Sequence, residues 1–299
     1  MTYWAAPSDG AKSVLRRLIL SAWLVALGSL GGLHGCAITP TASTPMRPEA
    51  AAQGISLVRA LPSVLPDKAV AVPHAQFVLV PNDSPAGLLV PVPFVADAIG
   101  GVFDRNLAEG LEQRYASIGP YRIGMQAMQG SPLFRAEGGG LTLKPFVFIV
   151  ECADDRYRIA SVFQLEGGGW TGRYTVHLPT TYPLDAFKQP TEATLATLQR
   201  ELNDAAIELR QLVERGARGE LSGSGVRAEV GSLHLVGGRA SGLLSPTLVK
   251  ARDAEVIEES AERLIVRLPG FLGLAGTSGG LFFGVHVLRR DQLHTFNKR

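Results

Sequence analysis

The sequence predicts an α+β fold, in which antiparallel β-sheet packs against two principal helices at about residues 94–118 and 191–215. Strand-like apolar runs are separated by short turns, and two longer segments place apolar residues at helical spacing. A chain of 299 residues has room for a sizeable core, in one large domain or two small ones.

The clearest strand signals form a meander. Residues 141–152, 156–166 and 170–178 are strand-like, and the short connections between them favour antiparallel pairing. Residues 146–150 are apolar at every position, which indicates a strand buried on both faces. Further strands are expected at residues 77–80 and 88–90, as short edge strands closed by proline, and at 226–236 with a bulge at Gly231, 247–257, 264–268 and 281–288.

The segment 191–215 is the stronger of the two predicted helices. Thr191 marks its start and Gly216 its end. Its apolar residues form one narrow seam that packs on the protein's own sheet or, alternatively, on a partner helix. The seam consists of Leu195, Leu198, Leu202, Ala205, Leu209 and Leu212. The other helix, 94–118, is expected to stop at Gly119-Pro120.

The N-terminal segment has the parts of an export signal. Lys12, Arg16 and Arg17 precede an uncharged run from Leu18 to Leu33. That run is shorter than the ~18–20 residues expected of a spanning helix. It therefore predicts a cleaved signal rather than a membrane span.

The sequence Leu33-His34-Gly35-Cys36 follows this run and resembles the lipobox of bacterial lipoproteins, departing from it only at His34. The resemblance implies cleavage before Cys36 and lipidation of that residue, palmitate included. Several acyl chains give stable anchoring where one gives only a marginal hold. Ala37, in place of the Asp that retains such proteins at the inner membrane, implies the outer membrane, periplasmic side. An ordinary secretory signal that happens to contain a cysteine is the alternative.

This interpretation divides the chain into four parts. Residues 1–35 are the signal peptide, and 36–66 are a proline-containing flexible linker. Residues 67–216 are an α+β domain with the meander and its packing helix. Residues 217–299 are a β-rich part that belongs to the same domain or forms a second one.

The charge of the mature chain argues against nucleic acid as a partner. Removing Lys12, Arg16, Arg17 and Asp9 from 29 basic and 27 acidic residues leaves 26 of each. Phosphate binding depends on clustered Lys and Arg, and the neutral body has no basic run.

One candidate binding surface lies on the third meander strand. Alternation places Arg173 and His177 on the face opposite Trp170 and Tyr174, with Arg158 on the neighbouring strand. These side chains would present a mildly basic surface to an anionic group or a protein. The alternative is a solvated face, or one covered by the 191–215 helix.

Catalytic and metal signals are weak. Ser278 lies in a Gly-x-Ser-x-Gly pattern, but the strand-like run after it does not suit a nucleophile elbow, and a hairpin turn is favoured. His286, Asp291 and His294 are the nearest approach to a zinc site, without a ligand turn. Cys152 has no second cysteine for a disulfide once Cys36 carries lipid, and its strand position indicates a buried, inert thiol.

These observations predict a non-enzymatic lipoprotein without a cofactor, which binds or scaffolds another envelope protein. One alternative is an inhibitor or immunity lipoprotein that neutralises a toxin in the periplasm. The other is a serine hydrolase using Ser278, which requires an acid–histidine pair that the sequence barely offers.

Overall fold

The computed structural model describes residues 43–62, 65, 69–82, 109–236, 247–269 and 283–299. Thr41–Arg299 forms one compact unit. Its described part contains an eleven-stranded mixed sheet and several helices, so the predicted α+β class is confirmed.

The strands are β1 (Ile55–Leu57), β2 (Val70–Val72), β3 (Phe77–Val80), β4 (Leu141–Cys152), β5 (Arg156–Gly167), β6 (Trp170–Pro183), β7 (Arg227–Val236), β8 (Thr247–Glu259), β9 (Arg263–Pro269), β10 (Phe283–Arg289) and β11 (Thr295–Lys298). The helices are α1 (Pro48–Ala52), α2 (Pro120–Met128), α3 (Leu184–Lys188) and α4 (Glu192–Ala217), with a 3₁₀ turn at Arg290–Gln292.

The sheet runs in the order β11-β7-β8-β9-β10-β6-β5-β4-β3-β2, and β1 pairs with β4 off this path. Most neighbours are antiparallel, as in the predicted meander β4–β5–β6. Three pairs are parallel: β1 with β4, β3 with β4, and β6 with β10. The last pair joins the C-terminal strands to the meander in one continuous sheet.

The parallel junction of β6 and β10 depends on Gly284. Its φ is +98°, and a Cβ atom at this position would lie 2.2 Å from the carbonyl oxygen of Arg173. Glycine adopts positive φ at no steric cost and leaves room for the neighbouring backbone.

One face of the sheet packs against the helices. Alternate residues of the meander, such as Ile149 and Tyr174, are buried there. The predicted seam of α4 lies on this face, with Leu202 and Leu209 fully buried. Thr191 caps the helix, because its hydroxyl accepts a hydrogen bond from the backbone N–H of Thr194 at 3.2 Å. We call this layer the helix-side core.

The other face is buried against the sheet itself. Apolar residues of β3–β5, such as Phe148 and Val162, share one cluster with residues of β7–β9, such as Ala254 and Val266. The sheet must therefore bend so that its two halves face each other. We call this layer the inner core, and Cys152 lies in it, fully buried as predicted.

The predicted linker, residues 36–66, requires correction where the structure describes it. Met46 is buried, and Ile55 lies in β1, paired in parallel with Leu141. The indole N–H of Trp170 donates to the carbonyl of Thr44 at 3.3 Å. Residues 43–57 are thus part of the folded body, because their apolar side chains complete the helix-side core.

Three element predictions also changed. Strand β3 pairs with β2 and β4 and is fully buried, so it is not an edge strand. Of the predicted 94–118 helix, residues 109–114 are helical and 94–108 lie outside the described residues, as does the predicted strand 88–90. Pro120 begins α2 instead of only ending the preceding helix, because proline suits the first helical position.

Candidate functional site

An open cleft of about 730 Å³ lies between α4 and the ends of β6 and β10. These strands pair only where Tyr174–Val176 meets Val285–Val287, and then separate. The side-chain amide of Gln292 donates to the carbonyl of Leu178 at 2.8 Å across the gap. The cleft thus forms where the sheet splits and α4 covers the opening.

Charged side chains line both walls of this cleft. Helix α4 contributes Glu201, Asp204 and Glu208, which its 3.6-residue period brings to one side. The opposite wall contributes Glu262, Arg263, Arg289, Arg290 and Asp291. The lining therefore contains five carboxylates and three guanidinium groups.

Each of the three arginines is already held by a carboxylate. Arg263 donates to Glu258 at 2.8 Å and to Glu208 at 3.1 Å. Arg289 pairs with Asp291 at 2.7 Å, and Arg290 pairs with Glu259, outside the cleft lining, at 2.8 Å. The hydrogen bond from Arg263 holds the pKa of Glu258 below its usual range.

Glu201 is the most buried of the cleft carboxylates, with 8% of its surface exposed. One carboxylate oxygen, Oε1, accepts a hydrogen bond from the hydroxyl of Thr180. The other, Oε2, is buried and has no hydrogen-bond partner among the described residues. Burial raises the pKa of nearby Tyr182 to about 12, and the charge of Glu201 contributes to that rise.

Glu208 lies one helical turn beyond Asp204. Burial raises the pKa of its carboxyl group, the positive charge of Arg263 lowers it, and the negative charge of Glu258 raises it again. The pKa of Glu208 is raised overall, because the nearby charge of Arg263 does not fully offset the loss of water around the carboxyl group.

Of the predicted surface residues, Arg173 is buried, while His177 and Arg158 are half-buried. Arg173 has only 4% of its surface exposed and lies in the bend of the sheet, where it donates to Gln164 at 2.7 and 2.9 Å. Its guanidinium carbon is 5.4 Å from the ring centroid of Phe148. Desolvation lowers the pKa of Arg173 to about 10. Burial follows because the second half of the sheet covers this face.

His177 forms a pair with His286. His286 Nε2 is 3.2 Å from the carbonyl of Phe283, which requires that this nitrogen carry the proton. His286 Nδ1 therefore accepts, and His177 Nε2 donates to it across 3.1 Å. Burial lowers the pKa of His177 to about 4. The residue lies at the boundary between the cleft and the inner core.

Arg158 is held at the margin of the inner core. Its guanidinium makes two hydrogen bonds to the carboxylate of Asp154, at 2.7 and 2.9 Å. The same contact lowers the pKa of Asp154. This residue is engaged within the protein rather than presented to a ligand.

The three residues that come nearest to a zinc pattern in the sequence are each engaged elsewhere or exposed. Both ring nitrogens of His286 are engaged inside the sheet, while His294 is exposed and Asp291 pairs with Arg289. Within the described ranges, no three His, Cys, Asp or Glu residues are grouped so that they could hold a metal ion. Cys36 and Ser278 lie outside the described residues.

The cleft could not be predicted from the sequence. The one local signal was Glu201, which lies beside Leu202 at the margin of the apolar seam of α4. The opposite wall comes from strands some 60 to 90 residues away, and their position depends on the β6–β10 junction.

Comparisons with known proteins assign this chain to no family. No protein-family model matches it, and no curated protein sequence matches it. A solved structure titled "Crystal structure of uncharacterized protein" aligns at 13% identity with a TM-score of 0.18, over 56% of this chain and 92% of that chain. In the described part of this chain, none of the helices combines the length and apolar character needed to cross a membrane.

Proposed function

We propose that this protein is a lipid-anchored envelope lipoprotein, tethered through Cys36 on the periplasmic side of the outer membrane, whose folded body binds another envelope component without catalysing a reaction. The proposal for the anchor rests on the basic, apolar and Leu33–Cys36 segments of the sequence. Ala37 supports the outer membrane as the destination.

The observation that carries the binding role is the open cleft between α4 and the split of β6 and β10. Its volume of about 730 Å³ is within the size range of ligand pockets, and its lining residues lie on α4, on strands of the sheet and on the turns beside them. Asp204 and Glu262 line it without an ion-pair partner among the described residues. These carboxylates are available to a partner.

Photocrosslinking in intact cells tests this function. The photoreactive residue p-benzoylphenylalanine replaces Pro179, an exposed, uncharged residue of the cleft lining. We expect a crosslink to one envelope component, repeated across preparations. The matched control carries the same group at Glu137, an exposed loop position that does not line the cleft, and should give no such product.

A variant of Cys36 tests the lipid anchor in the same experiment. Cys36→Ala should abolish labelling by a palmitate analogue and release the protein from the membrane fraction. Equal products from positions 179 and 137 would contradict the cleft as the binding site. Unchanged lipid labelling in Cys36→Ala would contradict the anchor.

A further inference from the structure

Resting on the proposed function, we propose that the cleft receives an extended basic segment of the partner protein, and that one Lys ammonium or Arg guanidinium of that segment binds Glu201. This assignment names the chemistry of the partner, which the binding role alone leaves open. It depends on the charge balance of the cleft, on the environment of Glu201 and on the spacing of the acids along α4.

The charge balance of the cleft lining favours a cationic ligand. The cleft lining has five carboxylates and three guanidinium groups, and every one of those guanidinium groups already pairs with an acid. The remaining field is negative, and low-dielectric walls strengthen such a field inside a cleft. A phosphate or an acidic peptide would be repelled from it.

Glu201 supplies the specific contact. Its Oε2 atom is buried without a hydrogen-bond donor among the described residues, while Oε1 is held by Thr180. A buried acceptor without a donor is unfavourable, and a charged donor gives the strongest replacement. Glu201 lines the cleft, so a small rotation of its carboxylate toward the opening would let an ammonium or guanidinium group supply that donor.

The row of acids on α4 matches an extended chain. Glu201, Asp204 and Glu208 span seven helical steps, which corresponds to about 10 Å along the axis. Three residues of an extended peptide cover about 10 Å as well. Side chains two residues apart in such a peptide point to the same side and lie about 7 Å apart, which matches the spacing of neighbouring acids such as Asp204 and Glu208.

Fluorescence anisotropy with a basic peptide tests the assignment. The full-length protein, purified in detergent, is titrated against fluorescein-labelled, amidated Lys-Ala-Arg-Ala-Lys. We expect a dissociation constant below about 1 mM that rises with salt. The same peptide with glutamine at its three basic positions should not bind.

Two variants locate the binding energy. Glu201→Gln should weaken binding of the peptide at least tenfold, and Asp204→Asn, an exposed position, should weaken it by a smaller factor. Glu137→Gln removes the same charge from an exposed loop and should change the affinity less than twofold. Thermal melting of each variant confirms that the fold is retained, and Asp204→Asn keeps the test valid if Glu201→Gln does not fold.

The outcomes separate this inference from the proposed function. If Glu201→Gln and Asp204→Asn bind the peptide as the parent does, or if the parent does not bind it, the basic-segment assignment is overturned. Spermidine binding as tightly as the peptide would also overturn it, in favour of a free polyamine. If the cellular crosslink from position 179 persists in Glu201→Gln, the binding function stands while this inference fails. No crosslink in the parent overturns the binding function itself.

Discussion

At the scale of single residues, Arg173 shows how a buried side chain can be predicted as an exposed one. Polar and apolar residues alternate along β6, and this alternation correctly separates Arg173 from Tyr174. Exposure of the polar face does not follow, because strands from far along the chain cover it. The interior provides Gln164 and three aromatic rings for the guanidinium group, and His286 for His177.

The histidine pair predicts a dependence of stability on pH. An unfolded histidine takes up a proton near pH 6.5, whereas burial lowers the pKa of His177 to about 4. Between these values the unfolded state binds more protons, so the free energy of unfolding falls as the pH falls. We expect a loss of about 2 kcal/mol between pH 6.5 and 4.5 from this group.

Urea unfolding across that pH range provides the measurement. His177→Gln keeps a side-chain N–H near the position of the donor and should flatten the pH dependence. His74→Gln, at an exposed position, should leave the pH dependence as in the parent. Identical curves for the parent and His177→Gln would show that His177 does not carry the effect.

Helix α4 is the element that connects the core and the cleft. Its apolar seam packs on the sheet, while Glu201, Asp204 and Glu208 line the cleft. The seam was predicted because its spacing is local to the sequence. Helix α2 was missed, because Pro120 was interpreted only as a stop, although proline also suits the start of a helix.

Substitutions on the buried and exposed sides of α4 should differ in their effect on stability. Leu209 is fully buried, and Leu209→Ala should lower the free energy of unfolding by about 2–5 kcal/mol through loss of burial and a residual cavity. Ile207 is 46% exposed on the same helix, and Ile207→Ala should change it by no more than about 0.5 kcal/mol. Denaturant unfolding of both variants measures the difference. Equal losses would contradict the packing of α4 described above.

At the scale of the whole molecule, the strand order joins residues 67–216 and 217–299 in one sheet. The sequence alone did not decide whether these two parts form one domain or two. Strand β10 lies beside β6 in parallel, and β7–β9 share the inner core with β3–β5. The individual strands could be predicted from local patterns. Their order could not, since a parallel contact between strands about 110 residues apart leaves no periodic signal in the sequence.

This continuity predicts a single unfolding transition for the folded body. Trp170 is the one tryptophan that remains after the predicted cleavage, and it lies in the helix-side core. Its fluorescence and the far-ultraviolet circular dichroism of the whole sheet should therefore change together in urea. A second circular dichroism transition without a fluorescence change would show that the C-terminal strands unfold independently.

The packing of residues 43–57 limits how far the body can stand from a membrane. A spacer reaching from Cys36 to residue 66 would allow about 100 Å of reach when fully extended. The chain between Cys36 and the first described residue, Ser43, allows at most about 25 Å. With lipid on Cys36, as proposed, the start of the folded body stays within this short distance of the membrane. The partner must then be bound close to the bilayer surface, because the short tether does not let the body reach far into the periplasm.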